Sequence, residues 1–250
     1  MPAGCRLMAV VKADAYGHDA PAVAGRLWQA GVRAFAVATP EEGAQLRRCG
    51  ITGEILVLGY ADAARIRELR RWRLCQTVTD PAHARALARA AGRRPLPVHI
   101  AVDTGMHRLG TDAGAAPAVA EMLRLPGLEV RGLFTHLAVR TALRRRAAFT
   151  RTQLDAFSAG AEAAGYTPPP LHAQASCGIP NQPQPDCGYA RPGIAFTARS
   201  VRRAARRGCT RCWLRRWRCG RESSVCAACR PAKARAMALR SGHGAPPGWR

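Results

Sequence analysis

What most limits the fold of this chain is a repeated alternation of short apolar runs with helical stretches. Leu7 to Val11 is a continuous apolar run, the pattern of a strand buried on both faces. Pro21 to Ala30 follows with Val23, Leu27 and Trp28 at helical spacing, and Gly31 stops it. Five further pairs repeat the rhythm. Their strands read as 34–37, 54–58, 75–78, 98–102 and 130–134, and their helices as 40–48, 62–71, 81–91, 115–123 and 148–164. Leu171 to Gln174 reads as a seventh strand and Tyr189 to Phe196 as an eighth. Such alternation implies a parallel sheet with helical crossovers. Seven or eight units predict an α/β fold of the TIM-type (β/α)8 barrel kind. An open doubly wound sheet is the alternative, but no G-x-G-x-x-G follows the first strand to support a dinucleotide-binding version.

The pattern stops near Phe196, and the composition changes there. Residues 1–196 carry 24 basic and 15 acidic side chains, whereas residues 197–250 carry 15 basic and one acidic. The last stretch also holds five of the ten cysteines and lacks Ile, Phe, Tyr, Asn, Asp and Gln. The expected organisation is therefore a barrel over 1–196 and a basic tail over 197–250. No apolar run approaches the ~18 residues of a membrane span. The first residues lack a signal-peptide pattern, so a cytoplasmic protein is expected.

In a parallel barrel the chemistry collects where the strands end. The first strand runs into Lys12 and Tyr16, the fifth into Asp103 and Arg108, and the sixth into His136. The seventh carries His172 and leads to Ser176; the last carries Arg191, Gly193 and Ile194. A lysine directly after a buried strand is partly desolvated, which lowers its pKa and makes it nucleophilic toward an aldehyde. Spacing alone favours an ordinary rim lysine with its stem packed and its charge in water. His18, His99 and His107 read as surface or packing residues.

Four strings add to this. Val11-Lys12-Ala13-Asp14-Ala15-Tyr16-Gly17-His18 resembles the cofactor-lysine motif of bacterial alanine racemases. The strings 102–110 (Val-Asp-Thr-Gly-Met-His-Arg-Leu-Gly), 132–136 (Gly-Leu-Phe-Thr-His) and 191–195 (Arg-Pro-Gly-Ile-Ala) are similar to further motifs of that family, in its order. The resemblance covers roughly residues 5–196. His107 to Gly110 and His172 to Ser176 look closest to the alanine/serine racemases of the vancomycin-resistance type.

The resemblance implies pyridoxal 5'-phosphate held as a Schiff base on Lys12, whose freed amine then serves as a base on one face of Cα. It implies phosphate contacts from Tyr16, Ser176 and the backbone N–H groups of Gly193 and Ile194. Arg191 matches the partner of the pyridine nitrogen, His136 a histidine beside the cofactor, and Arg108 the group that binds the substrate carboxylate. Asp103 and His172 are expected to support these residues from behind. No metal is implied. The substrate would be alanine or serine, the product D-alanine for peptidoglycan precursors, and the full-length family forms homodimers.

Three departures temper the expectation. Family members often carry a carbamate-modified lysine where this chain has Ala101. They have a further helix and strand before the cofactor strand. After the Arg-Pro-Gly-Ile string they continue into a β-rich domain that supplies a tyrosine base from the partner subunit. The tail here has no Tyr, so a barrel incomplete at its N-terminus and an impaired racemase are expected. The tail's Cys209-x-x-Cys212 and Cys226-x-x-Cys229, 13 residues apart, resemble a zinc-ribbon spacing. Its Arg-, Ala-, Gly- and Cys-rich composition fits better an out-of-frame reading of GC-rich DNA. It is expected to be disordered and to bind nucleic acid only non-specifically. Two rival readings remain: a non-catalytic pyridoxal-phosphate barrel, and a zinc or nucleic-acid-binding protein acting through the tail.

Overall fold

The structure, a computed structural model, describes residues 4–138, 144–166, 171–176, 179 and 188–196. The tail, with its paired cysteines, lies outside the described residues.

The strands are β1 (Arg6–Val10), β2 (Ala34–Val37), β3 (Glu54–Val57), β4 (Cys75–Val78), β5 (Leu96–Asp103), β6 (Thr111–Asp112), β7 (Leu128–Phe134), β8 (Leu171–His172) and β9 (Tyr189–Ala190). The helices are α1 (Lys12–Gly17), α2 (Ala20–Gln29), α3 (Pro40–Arg48), α4 (Ile66–Arg71), α5 (Pro81–Ala91), α6 (Ala116–Arg124) and α7 (Arg144–Ala163). The sheet runs β8-β7-β5-β4-β3-β2-β1-β9, with the short β6 pairing beside β5. All pairings are parallel. A parallel bridge between Ala175 and Arg191 joins the two ends, and the Gly188 N–H donates to the Leu171 carbonyl at 2.9 Å. Eight strands thus form a nearly closed barrel with helices in the crossovers, the α/β barrel that the alternation predicts.

Local chemistry explains the helix starts. Thr39 and Asp80 accept from the amides of Glu42 and His83 at the heads of α3 and α5, and a proline opens each helix. The interior is packed by Met8, Val10, Ala34, Ala36, Leu56, Cys75 and Tyr189. Small residues on β2 face bulkier ones on the other strands, which lets a narrow barrel fill. Cys49 and Cys75 are free thiols.

Some boundaries differ from the sequence reading. β1 ends at Val10, because Val11 (φ −121°, ψ 23°) has already left the extended region. β5 begins two residues early, and Pro97 is accommodated next to a bulge between Val98 and His99. The eighth strand is only Tyr189–Ala190; Pro192-Gly193 breaks it and a 3-10 turn, Ile194–Phe196, follows. The 62–71 helix splits into a 3-10 turn at Ala63–Arg65 and α4.

Candidate active site

The predicted residues all follow C-terminal strand ends, so the parallel topology gathers them at one mouth. Lys12 follows β1 and opens a segment that periodicity did not foresee. Ala13, Asp14, Ala15 and Tyr16 have φ of 50°, 51°, 52° and 59°, one left-handed turn closed by bonds from the Ala15 amide to Val11 O and the His18 amide to Asp14 O. Left-handed geometry costs L-residues roughly 1–2 kcal/mol each, so neighbours must hold it in place. The Asp14 carboxylate accepts from Ala20 N at 2.7 Å. Glu42, on α3, accepts from Ala13 N at 2.7 Å and from Ala38 N at 2.6 Å.

Lys12 is half-buried, and its amine makes no hydrogen bond or ion pair among the described residues. Burial and then the Arg108 charge lower its pKa, and Glu42 opposes them. A larger share is therefore neutral amine at working pH.

Three predicted residues meet at the β8 and β9 ends. Ser176 Oγ accepts from the amides of Gly193 (2.8 Å) and Ala195 (3.2 Å). The Tyr16 ring lies against Gly193, where a Cβ would strike the tyrosine hydroxyl and come within 3.0 Å of two ring carbons. Only glycine lets the chain pass so close. Burial raises the Tyr16 pKa, so its hydroxyl keeps its proton. Ile194 sits on the final 3-10 turn with an exposed side chain. The second amide on Ser176 is that of Ala195, which the sequence reading did not name.

Arg191 is buried. Its guanidinium donates to His172 Nδ1 (2.5 Å), His172 O (2.6 Å), Thr135 O (2.6 Å) and Ala173 O (3.3 Å). An arginine has only donors, so His172 Nδ1 must accept, and its Nε2 carries the proton. That proton points to His99 Nδ1 at 2.8 Å. His99 Nε2 in turn lies 3.2 Å from Glu54 Oε1, at ion-pair distance though poorly aligned for a hydrogen bond. Tyr189 donates to the other Glu54 oxygen at 3.4 Å. Burial first, then Arg191 and His99, hold His172 well below the ordinary histidine value, so it is neutral. Burial would raise Glu54, but His99, Arg131 and Arg6 outweigh it and keep it a carboxylate. A guanidinium at the mouth is thus tied through the neutral His172 to His99, which lies beside a carboxylate deep in the barrel. Sequence spacing reads His99 as a surface or packing residue and does not single out Glu54. Their signal was register: Thr77 pairs with His99 and Ala34 with Glu54, which sets both on the inward face.

Arg108 and His136 line one cleft with Ala101, Asp103, Phe134 and Thr135. Asp103 Oδ1 accepts from the amides of Gly105, Met106 and His107 at 2.9, 3.0 and 3.1 Å, which folds the loop that presents Arg108. Burial works to raise the Asp103 pKa, and those amides bring it below its usual value. Arg108 is exposed and makes no ion pair among the described residues. Behind the cleft, the hydroxyls of Thr104 and Thr135 meet at 2.8 Å, and Gln153 of α7 donates to Thr104 at 3.2 Å.

Fold and site define the class: an (β/α)8 barrel with polar and ionisable groups gathered at its C-terminal mouth. Residues 1–200 match the family model described as alanine racemase, N-terminal domain. The chain is 41% identical over 203 residues to an alanine racemase of Geobacter sp. (strain M21), covering 78% of this chain and 54% of that protein. It is 40% identical over 197 residues to a serine/alanine racemase of Enterococcus gallinarum, covering 77% and 28%. Among solved structures, alanine racemase of Clostridium difficile 630 in complex with cycloserine superposes with a TM-score of 0.72 at 28% identity, over 78% of this chain and 55% of that one. This chain belongs to the alanine racemase family. It spans about half the length of the alanine racemases it matches.

Proposed function

We propose that this chain is the cofactor-bearing barrel of an amino-acid racemase, holding pyridoxal phosphate on Lys12 and acting on alanine or serine. The observation that carries this reading is a half-buried, less basic lysine at the same barrel mouth as the Tyr16–Ser176–Gly193 cradle. The cradle fits a phosphate: a glycine is required by contact, two amides converge on one hydroxyl, and a phenol lies against them. The names of the relatives, alanine racemase and serine/alanine racemase, support the substrate class.

When bound, pyridoxal phosphate supplies an electron-withdrawing ring that makes the substrate Cα–H acidic. Tyr16, Ser176 and the amides of Gly193 and Ile194 would hold the phosphate. Arg191 would donate a hydrogen bond to the ring nitrogen and, being unable to release its proton, would leave that nitrogen unprotonated. The His172 and backbone contacts fix its orientation. His136 lies in the cleft beside it. Arg108 offers a planar fork of donors to the substrate carboxylate. Lys12 Nζ takes the Cα proton on its own face.

Racemisation needs a second acid/base on the opposite face. Residues 197–250 contain no tyrosine, so this chain by itself is expected to turn over slowly. The biological product would be D-alanine for peptidoglycan, made in the cytoplasm. No helix among the described residues is long and apolar enough to cross a membrane.

Lys12 and Lys233 are the only lysines of the chain, which makes the test simple. Borohydride reduction with pyridoxal phosphate should fix the label on Lys12, with a visible absorption band that Lys12→Ala abolishes. A label on Lys233 alone refutes the reading. Loss of the Cα proton of L-alanine into deuterated water then separates a one-base racemase from a barrel that only binds the cofactor.

A further inference from the structure

Glu42 is a charged side chain bonded to the lysine segment, and the reading above leaves it without a task. It lies in the first turn of α3, whose N-cap is Thr39. Its two carboxylate oxygens serve two separate strand ends: Oε1 accepts from Ala13 N, the amide just after Lys12, and Oε2 from Ala38 N, just after β2. Both amides lie beyond the ends of strands that pair with each other through Met8–Ala34, Ala9–Phe35 and Val10–Ala36. Neither strand ladder supplies them with a partner. In the left-handed turn, Asp14 accepts from Ala20 N and His18 Nδ1 donates to Tyr16 O, both bonds lying within residues 12–20. The Glu42 bond comes from another element and meets the turn at its first residue.

We infer that Glu42 is a positioning residue for Lys12, clipping the start of the left-handed turn to the end of β2 so that the lysine stem is aimed into the barrel mouth. This rests on the reading of Lys12 as the cofactor lysine. A carboxylate suits the task because both oxygens accept; a glutamine in the same place would turn an N–H group toward one of the two amides. Charge supports the geometry. The charged groups that act on the Lys12 amine are Arg108, from the loop after β5, and Glu42 itself, which opposes Arg108. The clip therefore also keeps a negative charge beside an amine that a neighbouring arginine disfavours.

Neighbouring Glu41 is the control. It lies in the same helical turn and its carboxylate pairs with Arg65, away from the lysine turn. Hydrogen exchange of the cofactor-free full chain should rise about tenfold or more in the 11–18 segment of Glu42→Gln, the loss expected of a charge-assisted bond. Strands β3 and β4 should stay protected, and Glu41→Gln should match the parent. In parallel, the ratio of borohydride-trapped pyridoxal phosphate on Lys12 to that on Lys233 should fall about tenfold in Glu42→Gln and hold in Glu41→Gln. Glu42→Asp, one methylene shorter, should fall between. Unchanged exchange at 11–18 in Glu42→Gln overturns the inference. So does an equal effect of Glu41→Gln, or a rise spread over every strand in both Glu42 variants. Should the parent trap no cofactor on Lys12, the proposed function fails by that result, while the exchange comparison still decides the clip.

Discussion

Replacing His172 by phenylalanine tests whether Arg191 is held by the buried imidazole chain. The substitution keeps an aromatic ring in a site with no exposure, where it already stacks on Phe134 at 5.1 Å. It removes the acceptor of a 2.5 Å bond from a guanidinium and the donor of a 2.8 Å bond to His99. A hydrogen bond to a charged group contributes about 1.5–3 kcal/mol, and each buried polar group left unpaired costs about 1–3 kcal/mol. Arg191 keeps its carbonyl partners, which limits its share. A total near 3 kcal/mol follows, or a fall in Tm of about 6–12 °C for a domain of this size. Overpacking by the larger ring adds to the loss without involving Arg191. A double-mutant cycle with Arg191→Met separates the two, since only the pairwise coupling reports the bond. Urea unfolding followed by circular dichroism should give a coupling of about 2 kcal/mol. A coupling below about 0.5 kcal/mol, the ordinary scatter of additive sites, would mean that the imidazole does not hold the guanidinium, and the His172 tautomer would lose its basis.

The same histidine predicts a pH dependence. His172 and His83 are both held below the ordinary histidine value, chiefly by burial. The unfolded chain therefore binds more protons than the folded one below about pH 6.5, so stability is full above that pH and falls as the pH drops below it. The urea midpoint should decline from pH 7 to 5, and His172→Phe should flatten that decline; an unchanged slope would exclude His172 as its source. Gly193→Ala drives a methyl into the Tyr16 hydroxyl; it should cost about 1–3 kcal/mol of stability and weaken pyridoxal-phosphate binding by about tenfold or more, read by equilibrium titration of the visible band. Asp103→Ala removes three amide bonds from the loop that carries Arg108. It should lower affinity for a carboxylate inhibitor while leaving the cofactor band intact, and equal losses of both would place Arg108 elsewhere.

The sequence alone determined the architecture. Periodicity switches between two and 3.6 residues, and each switch is marked by a proline, a capping Thr or Asp, or a glycine, so β2, β4, α3 and α5 were legible to the residue. Because every motif string follows a strand, parallel topology alone placed Lys12, Arg108, His136, Ser176 and Arg191 at one mouth. What sequence could not give was which groups touch. A left-handed turn of four non-glycine residues has no compositional signature, since contacts from elsewhere, Glu42 among them, stabilise it against local preference. Glu54 and His99 lie 45 residues apart and far from any recognisable string. Only the closing of the barrel turns their strand faces toward each other and brings them, through His172, to Arg191.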